Sequence, residues 1–129
     1  FSDSIGAAES YFRDTKILPI MHVLGVRRSL VDAHPWLPGA LVKAFSQAKK
    51  LAQDALQDTS ATKVTMPFVE DTLNRAQAMM GDDPWTYGVA SNAHVLDKFL
   101  EYHHDQGLSP RRVAVEDLFH PSTYEAYSL

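Results

Sequence analysis

The 129-residue sequence contains no cysteine, which excludes a disulfide scaffold and thiolate chemistry and fits a cytoplasmic setting. It has no run approaching the roughly 18 apolar residues of a membrane span, so a membrane is excluded as a partner. Basic residues are paired only at Arg27-Arg28, Lys49-Lys50 and Arg111-Arg112, in a chain of net charge -4. Without a basic stripe there is nothing to follow a phosphate backbone, and nucleic acid is excluded as well. No glycine-rich phosphate loop, repeat or low-complexity run appears, which removes nucleotide use. The chain opens at Phe1, without Met and without a basic-then-apolar leader, the pattern of a trimmed segment.

What is present is the composition of one ordinary folded domain, 45% hydrophobic and 22% charged. Residues 4–14 carry Ala8, Tyr11 and Phe12 on one side and Glu9, Arg13 and Asp14 on the other, the pattern of a short amphipathic helix. Ser29 can cap a brief helix that Pro35 stops, and Pro38 stands near the first turn of the longest helix, over 38–57. Leu41, Phe45, Ala48, Ala52 and Ala55 form the expected buried stripe of that helix, with Lys43, Gln47, Lys50, Gln53 and Asp54 largely on solvated faces. Pro67 opens a helix with Val69, Leu73, Ala76 and Met80 on one face, which Gly81 ends in a left-handed cap. A loop over 82–88 follows. Ser91 then caps a helix to about Gln106 whose inward positions are Val89, Ala93, Leu96, Leu100 and His103, with Gly107 closing it. Residues 115–119 make one further turn.

Residues 17–27, Ile-Leu-Pro-Ile-Met-His-Val-Leu-Gly-Val-Arg, differ from all of these. They are apolar almost throughout, as a strand covered on both faces is, with Pro19 at its beginning or edge. One buried strand cannot be a sheet, because its donors and acceptors must be paired. Its partners are therefore expected in sequence absent from this chain or in another copy.

Four ordered blocks carry a resemblance. Tyr11-Phe12-Arg13 leads through Leu18-Pro19-Ile20-Met21-His22, followed by His34-Pro35-Trp36 and by Gly81-Asp82-Asp83-Pro84-Trp85-Thr86-Tyr87-Gly88. The fourth is Tyr102-His103-His104-Asp105-Gln106-Gly107-Leu108-Ser109 with Arg111-Arg112 and Glu116-Asp117-Leu118-Phe119. Together they resemble the C-terminal region of the 4,5-dihydroxyphthalate decarboxylase family. Thr86 departs from the pattern, since the family more usually has proline between the Trp and the Tyr.

The resemblance implies an α/β fold: two lobes of the type II periplasmic-binding-protein kind, with the ligand in the cleft between them. Residues 1–129 are then a helix-rich C-terminal portion with one main buried strand, and the N-terminal lobe is absent. Residues 17–27 become a crossover strand with His22 near the hinge. The implied activity is a carboxy-lyase acting on a small aromatic carboxylate, with the chain alone expected to be inactive because half of the cleft is missing.

Such a reaction protonates the ring carbon that bears the carboxylate, with a hydroxyl para to it supplying electrons. The ring is its own electron sink, so no cofactor of the pyridoxal or thiamine kind is required in principle. A general acid and a carboxylate anchor suffice. His22 is the candidate acid, because imidazole titrates near neutrality, and the alternative for it is a satisfied buried histidine. Arg27 is the candidate carboxylate clamp, with pairing to Asp32 or plain solvation as its other reading. Trp85 could stack on an aromatic ligand and Tyr87 donate a hydrogen bond to it, or Trp85 could anchor the loop in the core.

His103 and His104 point about 100° apart on a helix and cannot chelate one ion together, so packing near a helix C-terminus accounts for both. The competing function is a non-catalytic solute receptor of a transporter, which the same fold serves. Association between copies is a further expectation, because it would bury the exposed strand and core face.

Overall fold

The computed structural model describes residues 2–60 and 63–124, and every regular element among them is helical. Helix α1 spans Ser4–Thr15, α2 Arg28–Ala33, α3 Leu37–Gln57, α4 Val69–Met80, α5 Val89–Asp105 and α6 Val115–Leu118, followed by a 3-10 turn at Pro121–Thr123. The starts and stops are set by local chemistry. Asp3 caps α1, its carboxylate accepting the Gly6 N–H at 2.8 Å. At the other end Lys16 adopts a left-handed conformation, φ 58, and donates its N–H to the Phe12 carbonyl. Pro38 lies in the first turn of α3, where a helix leaves N–H groups unpaired in any case. Helix α5 ends in a Schellman motif: the Gly107 N–H reaches the His104 carbonyl at 2.8 Å and the Leu108 N–H the His103 carbonyl at 3.0 Å.

The expected α/β architecture with a buried strand over 17–27 is overturned. Among the described residues there is no strand, and 17–27 runs without regular structure between α1 and α2. Most of its side chains are not covered either, with Met21 and Val23 each 70% exposed and Leu24 60% exposed, while Ile17, Leu18 and Val26 are half-buried. The physical reason is that a strand's N–H and C=O groups need a neighbouring strand, and no described segment supplies one. Apolar character alone does not make a strand.

Smaller differences follow the same local logic. Neither Ser29 nor Ser91 is a cap: α2 begins after Arg27 and α5 after Gly88, neither with a side-chain cap, and Ser91 lies inside the first turn. Gly81 does end α4, its N–H donating to the Gln77 carbonyl, but at φ 92 and ψ −177 rather than in the left-handed well. The chain therefore leaves α4 extended instead of turning back over it.

The apolar core lies between α5 and α6. Leu96, Leu100 and Val115 are buried there, flanked by half-buried Val89, Val113 and Phe119. Helix α3 is the other centre of packing, touching α2, α4 and the Pro121–Thr123 turn. The Ala90 N–H donates to the Tyr124 carbonyl at 3.0 Å and ties that turn to the start of α5.

The face that α3 turns inward is not its apolar stripe. Phe45 is 48% exposed and Ala48 and Ala52 are exposed too, leaving only Leu41 and Ala55 of the stripe half-buried, whereas Val42, Ser46, Lys49 and Gln53 are half-buried along the adjacent face. The two sets are offset by one residue, about 100° around the helix.

Candidate functional site

The half-buried face of α3 meets the loop that joins α4 to α5. Lys49 Nζ donates to Asp83 Oδ2 at 2.6 Å and to the Trp85 carbonyl at 3.1 Å, and it stands 4.7 Å from the centroid of the Tyr87 ring. One turn further along α3, Gln53 Nε2 donates to the other oxygen of Asp83 at 3.2 Å. Helical spacing explains why both reach the same carboxylate, since positions i and i+4 share a face.

Within the loop, the Thr86 hydroxyl donates to the Asp83 carbonyl at 2.9 Å. From α5, Asn92 Nδ2 donates to the carbonyls of Thr86 at 3.0 Å and Gly88 at 2.8 Å. Partial burial pushes the Asp83 carboxyl up. The hydrogen bonds from Lys49 and Gln53 and the Lys49 charge outweigh that, and hold it below the ordinary carboxylate range.

Between the loop, α3 and α4 lies an open groove of about 380 Å³. Its walls are mixed, with Ser46, Gln53 and Gln77 beside Asp82, and with Val42, Leu73, Pro84 and the Tyr87 ring as apolar surface. Both lysines that line it are already paired, Lys49 with Asp83 and Lys50 with Asp54 at 3.1 Å. Among the described residues no three His, Asp or Glu side chains converge as metal ligands would. No helix among them is long and apolar enough to cross a membrane.

Of the four residues singled out by sequence, the structure brings two to this place. Tyr87 lines the groove with its ring under the Lys49 ammonium. Trp85 takes part through its backbone carbonyl, while its side chain is 51% exposed, so it does not anchor the loop in the core. His22 and Arg27 lie elsewhere, exposed on the 17–28 stretch and outside the groove lining. Arg27 precedes α2 and makes no ion pair with Asp32 or any other described residue. His103 packs 5.7 Å from the Phe99 ring, and His104 approaches Asp105 at 3.5 Å, both in the last turn of α5.

Comparison with known proteins supplies the deciding observation. Over all 129 residues the chain is 53% identical to a 4,5-dihydroxyphthalate decarboxylase of Comamonas testosteroni. It is a homologue of part of a 4,5-dihydroxyphthalate decarboxylase. The chain spans 39% of the length of that decarboxylase. No protein-family model matches the chain.

Lys49, Gln53 and Asn92 were not singled out from the sequence, although they hold the loop that carries two of the decarboxylase-like residues. A signal was available for the first two. Lys49 and Gln53 are one turn apart on the longest helix, and the Asp82-Asp83 pair opens the one loop rich in aromatic residues.

Proposed function

We propose that this chain is part of a carboxy-lyase that removes carbon dioxide from 4,5-dihydroxyphthalate or a closely related aromatic dicarboxylate. The observation that carries the reading is the 53% identity across the whole chain to a 4,5-dihydroxyphthalate decarboxylase. In the reaction, the electron pair of a ring hydroxyl, released as its proton leaves, is pushed to the carbon para to it, which takes a proton from a general acid. The bond from that carbon to the carboxylate then breaks, its electrons restore the aromatic ring and the hydroxyl oxygen regains its proton. Every electron is returned within the substrate.

His22 is the acid in this reading. Its imidazole is exposed and has no partner among the described residues. Arg27, five residues on and likewise unpaired, is the clamp for the carboxylate that stays, a role its planar fork of donors suits. Trp85, half exposed, stacks on the ring, and Tyr87 hydrogen-bonds to it.

The test is carbon dioxide release from 4,5-dihydroxyphthalate, comparing the unsubstituted protein with His22→Ala at matched helicity by circular dichroism. Release that falls at least 100-fold in the variant is expected, the usual scale of a positioned general acid being roughly 10²–10⁴-fold. Absence of release from the folded protein would sink the lyase reading, and release that survives the substitution would remove His22 from the chemistry.

A further inference from the structure

The Lys49–Asp83 pair is asymmetric in a way that a purely structural ion pair need not be. The Lys49 side chain is 15% exposed, while that of Asp83 is 44% exposed. If the pair opens, the carboxylate returns to water, but the ammonium stays largely covered and needs another anion. The loop that carries Asp83 has a glycine at each end. Gly81 and Gly88 bracket it at φ 92 and φ 106, conformations that side-chain-bearing residues rarely adopt, and a Cβ at Gly81 would meet nothing within 4 Å. The glycine there answers to backbone conformation and not to lack of room.

The tie to α3 is polar, made by Lys49 and Gln53 on Asp83 and by Lys49 on the Trp85 carbonyl, and the exposed indole adds no apolar anchor. Beside it the groove has no other lysine without a partner, since Lys50 is paired with Asp54.

We propose that Lys49 is a carboxylate-binding residue, that Asp83 occupies it in place of a ligand, and that an aromatic carboxylate entering the groove displaces Asp83 and swings the 82–87 loop outward about Gly81 and Gly88. The choice of an aromatic carboxylate rests on the decarboxylase reading; the exchange at Lys49 rests on the geometry. No bond is made or broken in it. One anion replaces another at a cation.

Phthalate tests this without turnover, because it has no ring hydroxyl to supply electrons. Calorimetric titration should show Asp83→Asn binding phthalate at least three-fold more tightly than the unsubstituted protein, its internal competitor being gone, and Lys49→Met losing the binding. Hydrogen exchange of the 82–87 amides should quicken at least ten-fold when phthalate saturates the unsubstituted protein, with the α5 amides unchanged. Equal or weaker binding by Asp83→Asn overturns the proposal even if Lys49→Met fails to fold, as does phthalate binding with no change in 82–87 exchange. Binding is measured apart from catalysis. A protein that binds in this manner and releases no carbon dioxide keeps this inference and loses the lyase reading, and the converse result does the reverse.

Discussion

The α5–α6 core and the docking of the 82–88 loop on α3 hold the chain together by opposite means. In the first, Leu96, Leu100 and Val115 exclude water from one another, and the polar groups nearby are rim pairs such as Arg112 with Asp97 at 2.7 Å. In the second, the contacts are an ammonium, a carboxylate, an amide and backbone carbonyls, while two large apolar side chains of α3, Phe45 and Leu51, face outward. Hydrophobic contact is undirected and hard to exchange for anything else. An ion pair at a half-covered groove is directed and replaceable by another ion of the same sign. The first arrangement suits a fixed part, the second a part that responds to a charged ligand.

The largest effect on stability is expected in the core. Leu100→Ala removes a side chain only 6% exposed and should lower unfolding free energy by about 3 kcal/mol, read from urea denaturation. A loss under about 1 kcal/mol would mean that α5–α6 is not the stabilising centre and that the contrast is misdrawn. Lys49→Met should lower it by only about 1 kcal/mol, because its partner is well solvated and water takes the vacated place. It should loosen the 82–88 loop far more than α5, which hydrogen exchange resolves by segment.

Acid sharpens the contrast next. The Asp83 carboxyl is held below its usual range when folded, so its contribution is present above about 3.9, its value in an unfolded chain, and is lost as pH falls through the lower folded value. The loop should therefore detach as pH falls below the ordinary carboxylate range, seen as a change in Trp85 emission in a Trp36→Phe background. Asp83→Asn should remove that transition and leave acid unfolding of the core in place. The smallest effect is expected at Phe45→Ser, which changes a side chain 48% exposed and should move stability by less than about 0.5 kcal/mol. A larger loss would mean that the outward face of α3 is covered in solution.

Much of the helical framework was legible in the residues. Pro38, Gly81 and Gly107 mark element ends within a residue or two of where they fall, and the Leu96–Leu100 spacing pointed at the core that forms. The loop over 82–88 that carries Trp85 and Tyr87 was legible as a loop between two helices, but not its place against α3. What held that loop was legible only in part: the one-turn spacing of Lys49 and Gln53 marks a shared face, but nothing local to them says which carboxylate stands opposite.

By itself the sequence determined the elements whose hydrogen bonds close within four residues, the exclusion of disulfide and thiolate chemistry, and kinship with 4,5-dihydroxyphthalate decarboxylase. Only the tertiary structure decided that Ile17 to Arg27 forms no strand, and that α3 presents Lys49 and Gln53 inward while Phe45 stays outside. The reason is the range of the interactions. A helix pairs its backbone with its own next turn, so its ends are written nearby. A strand and a buried face both depend on partners from distant sequence, and no pattern of apolar residues states whether those partners are there.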